Sequence, residues 1–158
     1  NKSIDMALIE HRRHQVTGVL FFFDLDHFKR INDEHGHLAG DEILKEISKI
    51  VAKRIRETDQ FFRYGGEEFA LLLRHTSLQN AAHLAEEIRI LIQDHIFKNG
   101  ITVTISGGLS EVNQSTNVIN WIERSDTALY EAKSSGRNCI KIHVPVLEDW
   151  HAEQAKTA

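Results

Sequence analysis

Two aspartates, Asp24 and Asp26, stand two residues apart at the end of the apolar run VLFFFDL. If that run is a strand, positions i and i+2 share a face, so both carboxylates project the same way and are close enough to share a cation. Acids placed after Phe21-Phe22-Phe23 carry a desolvation cost unless something positive neutralises them, and a hard, oxygen-seeking ion such as Mg²⁺ does so. The plainer reading is solvated strand-end acids, or an N-cap for the next helix. A second acidic pair, Glu67-Glu68, follows Gly65-Gly66. Glycines at a turn let another molecule approach the backbone, although an ordinary hairpin with solvated acids has the same pattern. The combination says more than either part. A buried strand ending in Asp24 beside a hairpin bearing Glu67 brings carboxylates together from distant sequence, as in Mg²⁺ sites that hold phosphates for nucleotidyl transfer.

Phosphates need cations of their own. Lys29 follows the aspartate pair, and Lys133 and Arg137 bracket Ser134-Ser135-Gly136, where they can clamp one polyphosphate. Taken singly, each also suits a helix C-terminus. Asn32 and Asp41 are spaced to place an amide and a carboxylate around a purine edge; a carboxylate accepting from N1–H and N2–H₂ selects guanine over adenine. Alternatively, Asn32 ends one helix and Asp41 sits in the first turn of the next. His27, His35 and His37, near Asp24, Asp26 and Asp33, keep open a transition-metal hydrolase. His35 and His37 flank a glycine in a loop-like stretch, which favours solvated histidines instead.

The elements that position these groups follow from periodicity. Residues 3–13 read as a helix with Ser3 as N-cap and Ile4, Leu8 and His11 along one side. Residues 16–25 read as a strand covered on both faces, hence central. A short helix is expected over 27–34, and a longer one from Gly40 with Ile43, Leu44, Ile47, Ile50, Val51 and Ile55 as its apolar stripe. Segments 60–64 and 69–73 form a hairpin around Gly65-Gly66-Glu67-Glu68. A helix over 77–95 carries Leu84, Ile88, Leu91 and Ile92; 101–109 alternates as a strand. Residues 118–134 are helical and stopped by Gly136, and 138–144 give a last strand. The order α-β-α-α-β-β-α-β-α-β implies an α/β sandwich with at least one antiparallel pair.

Composition narrows the function classes. With 158 residues and 41% hydrophobic content, the chain fits one domain with a core that needs no disulfide. The single cysteine, Cys139, allows neither an internal bridge nor a paired-thiolate zinc site, and points to a reducing, cytoplasmic setting. No apolar run reaches the roughly 20 residues that span a bilayer. The net charge of −4, without a basic block interleaved with aromatics, excludes a nucleic-acid binder.

Three stretches, FDLDHFKRINDEHGHLAGDEIL, RYGGEEFALLL and SDTALYEAKSSGRN, together resemble the GGDEF family of diguanylate cyclases, here with the GGEEF variant of its hairpin. The resemblance implies a five-stranded mixed sheet flanked by helices, like the adenylyl cyclase catalytic core and the polymerase palm. It implies condensation of two GTP into cyclic di-GMP with release of two pyrophosphates. Asp24, the Leu25 carbonyl and Glu67 match the Mg²⁺ (or Mn²⁺) ligands, and Glu68 assists at a second ion or near the attacking hydroxyl. Asn32 and Asp41 match the guanine-reading positions. Lys29, Lys133 and Arg137 match phosphate contacts, and Gly65 and Gly66 let the nucleotide lie on the hairpin. Each domain holds one GTP, so the catalytic unit is a twofold homodimer.

Arg56-Glu57-Thr58-Asp59 resembles the family's inhibitory product site, with Arg89 as a further contact. Arg56 offers a fork to phosphate or to guanine, and Asp59 accepts from guanine; without the family context the pair simply closes a helix end. The chain starts inside the family's DxLTGLxNRR segment, whose leucine helps wall the guanine pocket. The expected division is therefore a catalytic domain over 1–147 and a polar tail over 148–158, with a sensory or dimerising module upstream. The rival from another class is a non-catalytic domain that binds cyclic di-GMP or GTP, though such relatives usually lose the hairpin acids.

Overall fold

The computed structural model describes residues 2–113 and 117–144; the tail over 148–158 lies outside them. Five strands form one mixed sheet in the order β2-β3-β1-β4-β5. The central strand β1 (Gly18–Leu25) is buried along its whole length, as its uninterrupted apolar run requires. It pairs antiparallel with β3 (Glu68–Arg74) on one side and β4 (Ile105–Glu111) on the other. The edge strand β2 (Gln60–Gly65) pairs antiparallel with β3, and β5 (Ile140–Ile142) runs parallel to β4.

Side-chain alternation divides the core. Val19, Phe21, Phe23 and Leu25 face α2 (Phe28–His35), α3 (His37–Ala52) and α4 (Leu78–Asp94), where Phe23, Phe61 and Phe69 stack. Leu20 and Phe22 face α1 (Lys2–His14) and α5 (Val118–Ser134), with Trp121 wholly buried among them. Asp24 has the parity of Leu20 and Phe22, so it projects toward α5. That helix lies very close to the sheet. A Cβ on Gly108 would sit 2.2 Å from the Ser125 carbonyl and 2.3 Å from the Leu129 nitrogen, so only glycine lets the two backbones meet. Ser110 and Ser125 hydroxyls, 2.5 Å apart, join beneath the helix, and Ser125 also donates to the Leu20 carbonyl at 3.1 Å. The helix carrying Lys133 is thereby fixed against the strand carrying Asp24.

Some boundaries differ from the periodicity. Helix α1 begins at Lys2, so Ser3 lies in its first turn rather than at the N-cap, while Ile4, Leu8 and His11 are buried as expected. Helix α3 begins at His37, not Gly40. Gly40 is a contact point inside the helix: a Cβ there would lie 2.0 Å from Asn32 Oδ1 and 3.0 Å from Phe28 Cζ. Residues 101–104 precede β4, because β1 ends at Leu25 and the chain turns into α2 through His27 at φ 57°. Only the Asp26 N–H remains there to bond Thr104, at 2.9 Å. On α4 the buried face is Ala81, Ala85, Ile88 and Ile92, and Leu91 is exposed. Strand β5 is shorter than 138–144, since Asn138 has φ 46° and Val144 is exposed.

Candidate active site

The end of β1 and the β2–β3 turn form one surface. Across the sheet at this level, Gly65 stands opposite Glu68, Glu68 opposite Asp24, and Asp24 opposite Ser106. The Leu25 N–H donates to the Glu67 carbonyl at 3.4 Å, drawing the turn alongside the strand end. Arg63 braces the same turn by donating from Nε to the Gly66 carbonyl at 2.7 Å. The role of Arg63 escaped the sequence reading; its signal is an arginine three residues before the second glycine of a hairpin. Neither Gly65 nor Gly66 has positive φ. The two differ in space: nothing lies within 4 Å of a Cβ built on Gly66, whereas one on Gly65 would lie 3.1 Å from Glu68 Oε2.

Asp24 is 6% exposed. Its Oδ2 accepts from Lys133 Nζ, while its Oδ1 is buried without a hydrogen-bond partner. Burial lifts its pKa from 3.8 to about 6; the Lys133 hydrogen bond and charge oppose the rise, and Glu67 and Glu68 add to it. The half-exposed Lys133 pairs with Asp24, and the charges of Glu67 and Glu68 are felt at the same carboxylate. An orphaned carboxylate oxygen in this acidic surround is a donor set for a hard cation. Among the described residues no group of three or more His, Cys, Asp or Glu side chains forms a ready metal cage. Mg²⁺ characteristically takes one or two carboxylates and completes its shell with water and substrate phosphate.

Asp26 shares the face of Asp24 but not its availability. Its carboxylate accepts from the Thr104 hydroxyl at 2.7 Å, the Ser106 hydroxyl at 2.6 Å and the Asn138 N–H at 3.0 Å. The expectation that both aspartates share a cation is corrected accordingly: Asp24 faces the open side, and Asp26 ties β4 and the α5–β5 loop to the end of β1. Among the described residues His27, His35 and His37 do not gather with carboxylates into a group that could hold a metal, and all three are exposed.

Asn32 packs on Gly40 with Oδ1 buried and lacking a partner, so the α2–α3 elbow holds an unused acceptor. Asp41 is exposed and lines, with Leu44, Lys45, Ser48, Arg63 and Phe69, a cavity of about 320 Å³ between α3 and the hairpin. Lys133 is brought to Asp24, whereas Lys29 and Arg137 are exposed. Arg56 and Asp59 lie beyond the end of α3 and close their own turn: the Arg56 N–H donates to Asp59 Oδ2 at 2.9 Å, and the Asp59 N–H to the Arg56 carbonyl at 3.0 Å. Arg89 is not a free arm. It donates to Glu86 from Nε and Nη2 at 2.9 and 2.6 Å, and from Nη1 to Gln93 and Asn138 at 2.8 and 2.6 Å.

A family model described as diguanylate cyclase, GGDEF domain, matches residues 1–139. The chain belongs to the GGDEF family. The GGEEF domain is similar to diguanylate cyclase DgcP of Pseudomonas aeruginosa, 42% identical over 138 residues, which are 83% of this chain and 20% of that protein. It is 37% identical over 142 residues to diguanylate cyclase DgcS of Shewanella oneidensis, covering 90% of this chain and 48% of the relative. The domain therefore spans half or less of these curated relatives. Among solved structures, it superposes on the active GGEEF domain of a diguanylate cyclase from Vibrio cholerae with TM-score 0.87 at 33% identity, covering 92% of this chain and 94% of the other. The GGDEF domain of DgcB from Caulobacter crescentus, solved in complex with c-di-GMP, gives 0.86 at 30% identity, covering 90% and 86%. The five-stranded mixed sheet with flanking helices is the cyclase-like palm fold of these structures.

Proposed function

We propose that the GGEEF domain is a diguanylate cyclase that condenses two GTP into cyclic di-GMP and two pyrophosphates. The observation that carries this reading is the orphaned Asp24 Oδ1 on the strand that pairs with Glu68 of the hairpin, where a Cβ on Gly66 would meet nothing within 4 Å. Asp24, the Leu25 carbonyl and Glu67 hold Mg²⁺ or Mn²⁺, with Glu68 at a second ion or near the attacking hydroxyl. When bound, the ion offsets charge on the triphosphate and eases loss of the 3′-hydroxyl proton. Asn32 and Asp41 read guanine: the unpartnered Asn32 Oδ1 and the Asp41 carboxylate accept from its N1–H and N2–H₂. Gly65 and Gly66 seat the nucleotide, and Lys29, Lys133 and Arg137 contact its phosphates. Each 3′-hydroxyl is aimed at the α-phosphate held by a second copy, so two domains meet about a twofold axis. Product docks at Arg56 and Asp59, with Arg89 as a weaker contact, and holds domains in an unproductive arrangement. Sensory input arrives from an upstream module.

Incubation with GTP and Mg²⁺ yields cyclic di-GMP and pyrophosphate, and Glu67→Gln abolishes turnover with an unchanged melting curve, since that half-buried turn residue contributes charge rather than core volume. The same assay is run on the chain with its upstream segment. Binding of GTP or cyclic di-GMP with no turnover in either form overturns the enzyme reading and leaves a binding domain.

A further inference from the structure

The loop joining α5 to β5 has an uncommon backbone. Gly136, Arg137 and Asn138 have φ of 107°, 65° and 46° in succession. Two of the three carry side chains in a region that L-residues avoid, and such a run persists only where the surroundings over-determine it. Here they do so from two directions. On the inner side, Asp26, 5% exposed, accepts the Asn138 N–H at 3.0 Å while the Thr104 and Ser106 hydroxyls hold the same carboxylate. On the outer side, Asn138 Oδ1 accepts from Arg89 Nη1 at 2.6 Å, and Asn138 Nδ2 donates to Gln93 Oε1 at 2.8 Å. Arg89 is in turn clamped along α4 by Glu86.

The three-residue edge strand β5 does not by itself call for this anchoring. What the loop presents is Arg137, exposed between Gly136 and the doubly held Asn138, one turn beyond the Lys133 that meets Asp24.

We propose that Asp26, Asn138 and Arg89 are positioning residues that hold the 136–138 loop so that Arg137 meets the phosphate chain of a nucleoside triphosphate together with Lys133. The proposal rests on the reading of this end of the sheet as a GTP site. An arginine on a loop fixed before binding orders fewer degrees of freedom when it engages its ligand, so its contact is stronger than the same contact from a mobile loop. The guanine-reading groups lie on α2 and α3 and do not depend on this loop.

The test compares equilibrium binding of a non-cyclisable GTP analogue and of GMP, with Mg²⁺ present. Asn138→Gly leaves the left-handed backbone accessible and removes both side-chain bonds. Arg89→Met removes the charged bond from its other end and carries the test if the first variant folds poorly. Each is expected to weaken the triphosphate analogue about tenfold, the scale of one lost hydrogen bond to a charged group, and GMP less than about twofold. In an Arg137→Ala background, Asn138→Gly is expected to cause no further loss. Equal weakening of both ligands, or a full additional loss in that background, overturns the positioning role. A wild-type domain that binds neither nucleotide overturns the GTP-site reading beneath it, a result distinct from either.

Discussion

Asp24→Asn is expected to stabilise the metal-free domain while destroying its activity. Burial, reinforced by Glu67 and Glu68 and opposed by Lys133, moves the Asp24 pKa from 3.8 to about 6. At about 1.4 kcal/mol per pKa unit, the ionised carboxylate costs the native state about 3 kcal/mol at neutral pH. The folded protein keeps this proton to higher pH than the unfolded chain. The stability associated with the group is therefore full below pH 3.8 and lost as pH rises through 6. Asparagine is neutral throughout and retains an oxygen for Lys133, which at 35% side-chain exposure can also turn to solvent. Urea denaturation at about pH 7.5 should show the variant more stable by about 2 to 3 kcal/mol, the gap closing toward pH 4 as wild-type Asp24 becomes protonated. Added Mg²⁺ should raise the wild-type midpoint at the higher pH and leave the variant's unmoved. A variant no more stable than wild type at pH 7.5, or a gap that persists at pH 4, refutes the assignment of the cost to this buried charge.

Asp41→Ser should relax nucleotide choice toward ATP, since a carboxylate facing adenine N1 lacks a donor and costs about 1 to 3 kcal/mol; equal ATP and GTP affinity in the wild type, measured by calorimetry, refutes the guanine assignment. Arg56→Ala should shift the product-inhibition curve to higher cyclic di-GMP without lowering the initial rate, and superimposable curves leave Arg56 and Asp59 as a turn closure only. Gly40→Ala, whose Cβ would fall 2.0 Å from Asn32 Oδ1, should cost about 1 to 3 kcal/mol in urea denaturation and weaken GTP binding by displacing that acceptor.

Much of this domain is legible in its sequence because its chemistry hangs on strong local signals. The run ending in Asp24 reads as a strand covered on both faces, and Gly65-Gly66 between two strand-like stretches reads as a turn; both are found. Less legible is what long-range contact decides. Spacing places Asp24 and Asp26 on one face, but only the arrival of Thr104, Ser106 and Asn138 makes one an anchor and leaves the other available. Gly40 resembles a helix start until Asn32 is seen against it. Residues 101–104 carry a strand's alternation because Ile101 and Val103 are buried, yet periodicity reports burial and not the presence of a ladder partner. Arg89, an exposed-looking helix residue in the sequence, is engaged by a loop 49 residues away.

The placement of Asp24 on the central strand has a kinetic corollary. Strand β1 is flanked by β3 and β4 and buried on both faces, so its amides should exchange with solvent only through global unfolding. The groups proposed to read the base sit on the α2–α3 elbow, a peripheral element that can open at far lower free energy. In hydrogen-exchange terms the site straddles two cooperative units. Nucleotide can then enter and leave by local opening of the outer one, while the carboxylate at its base stays fixed for the lifetime of the fold.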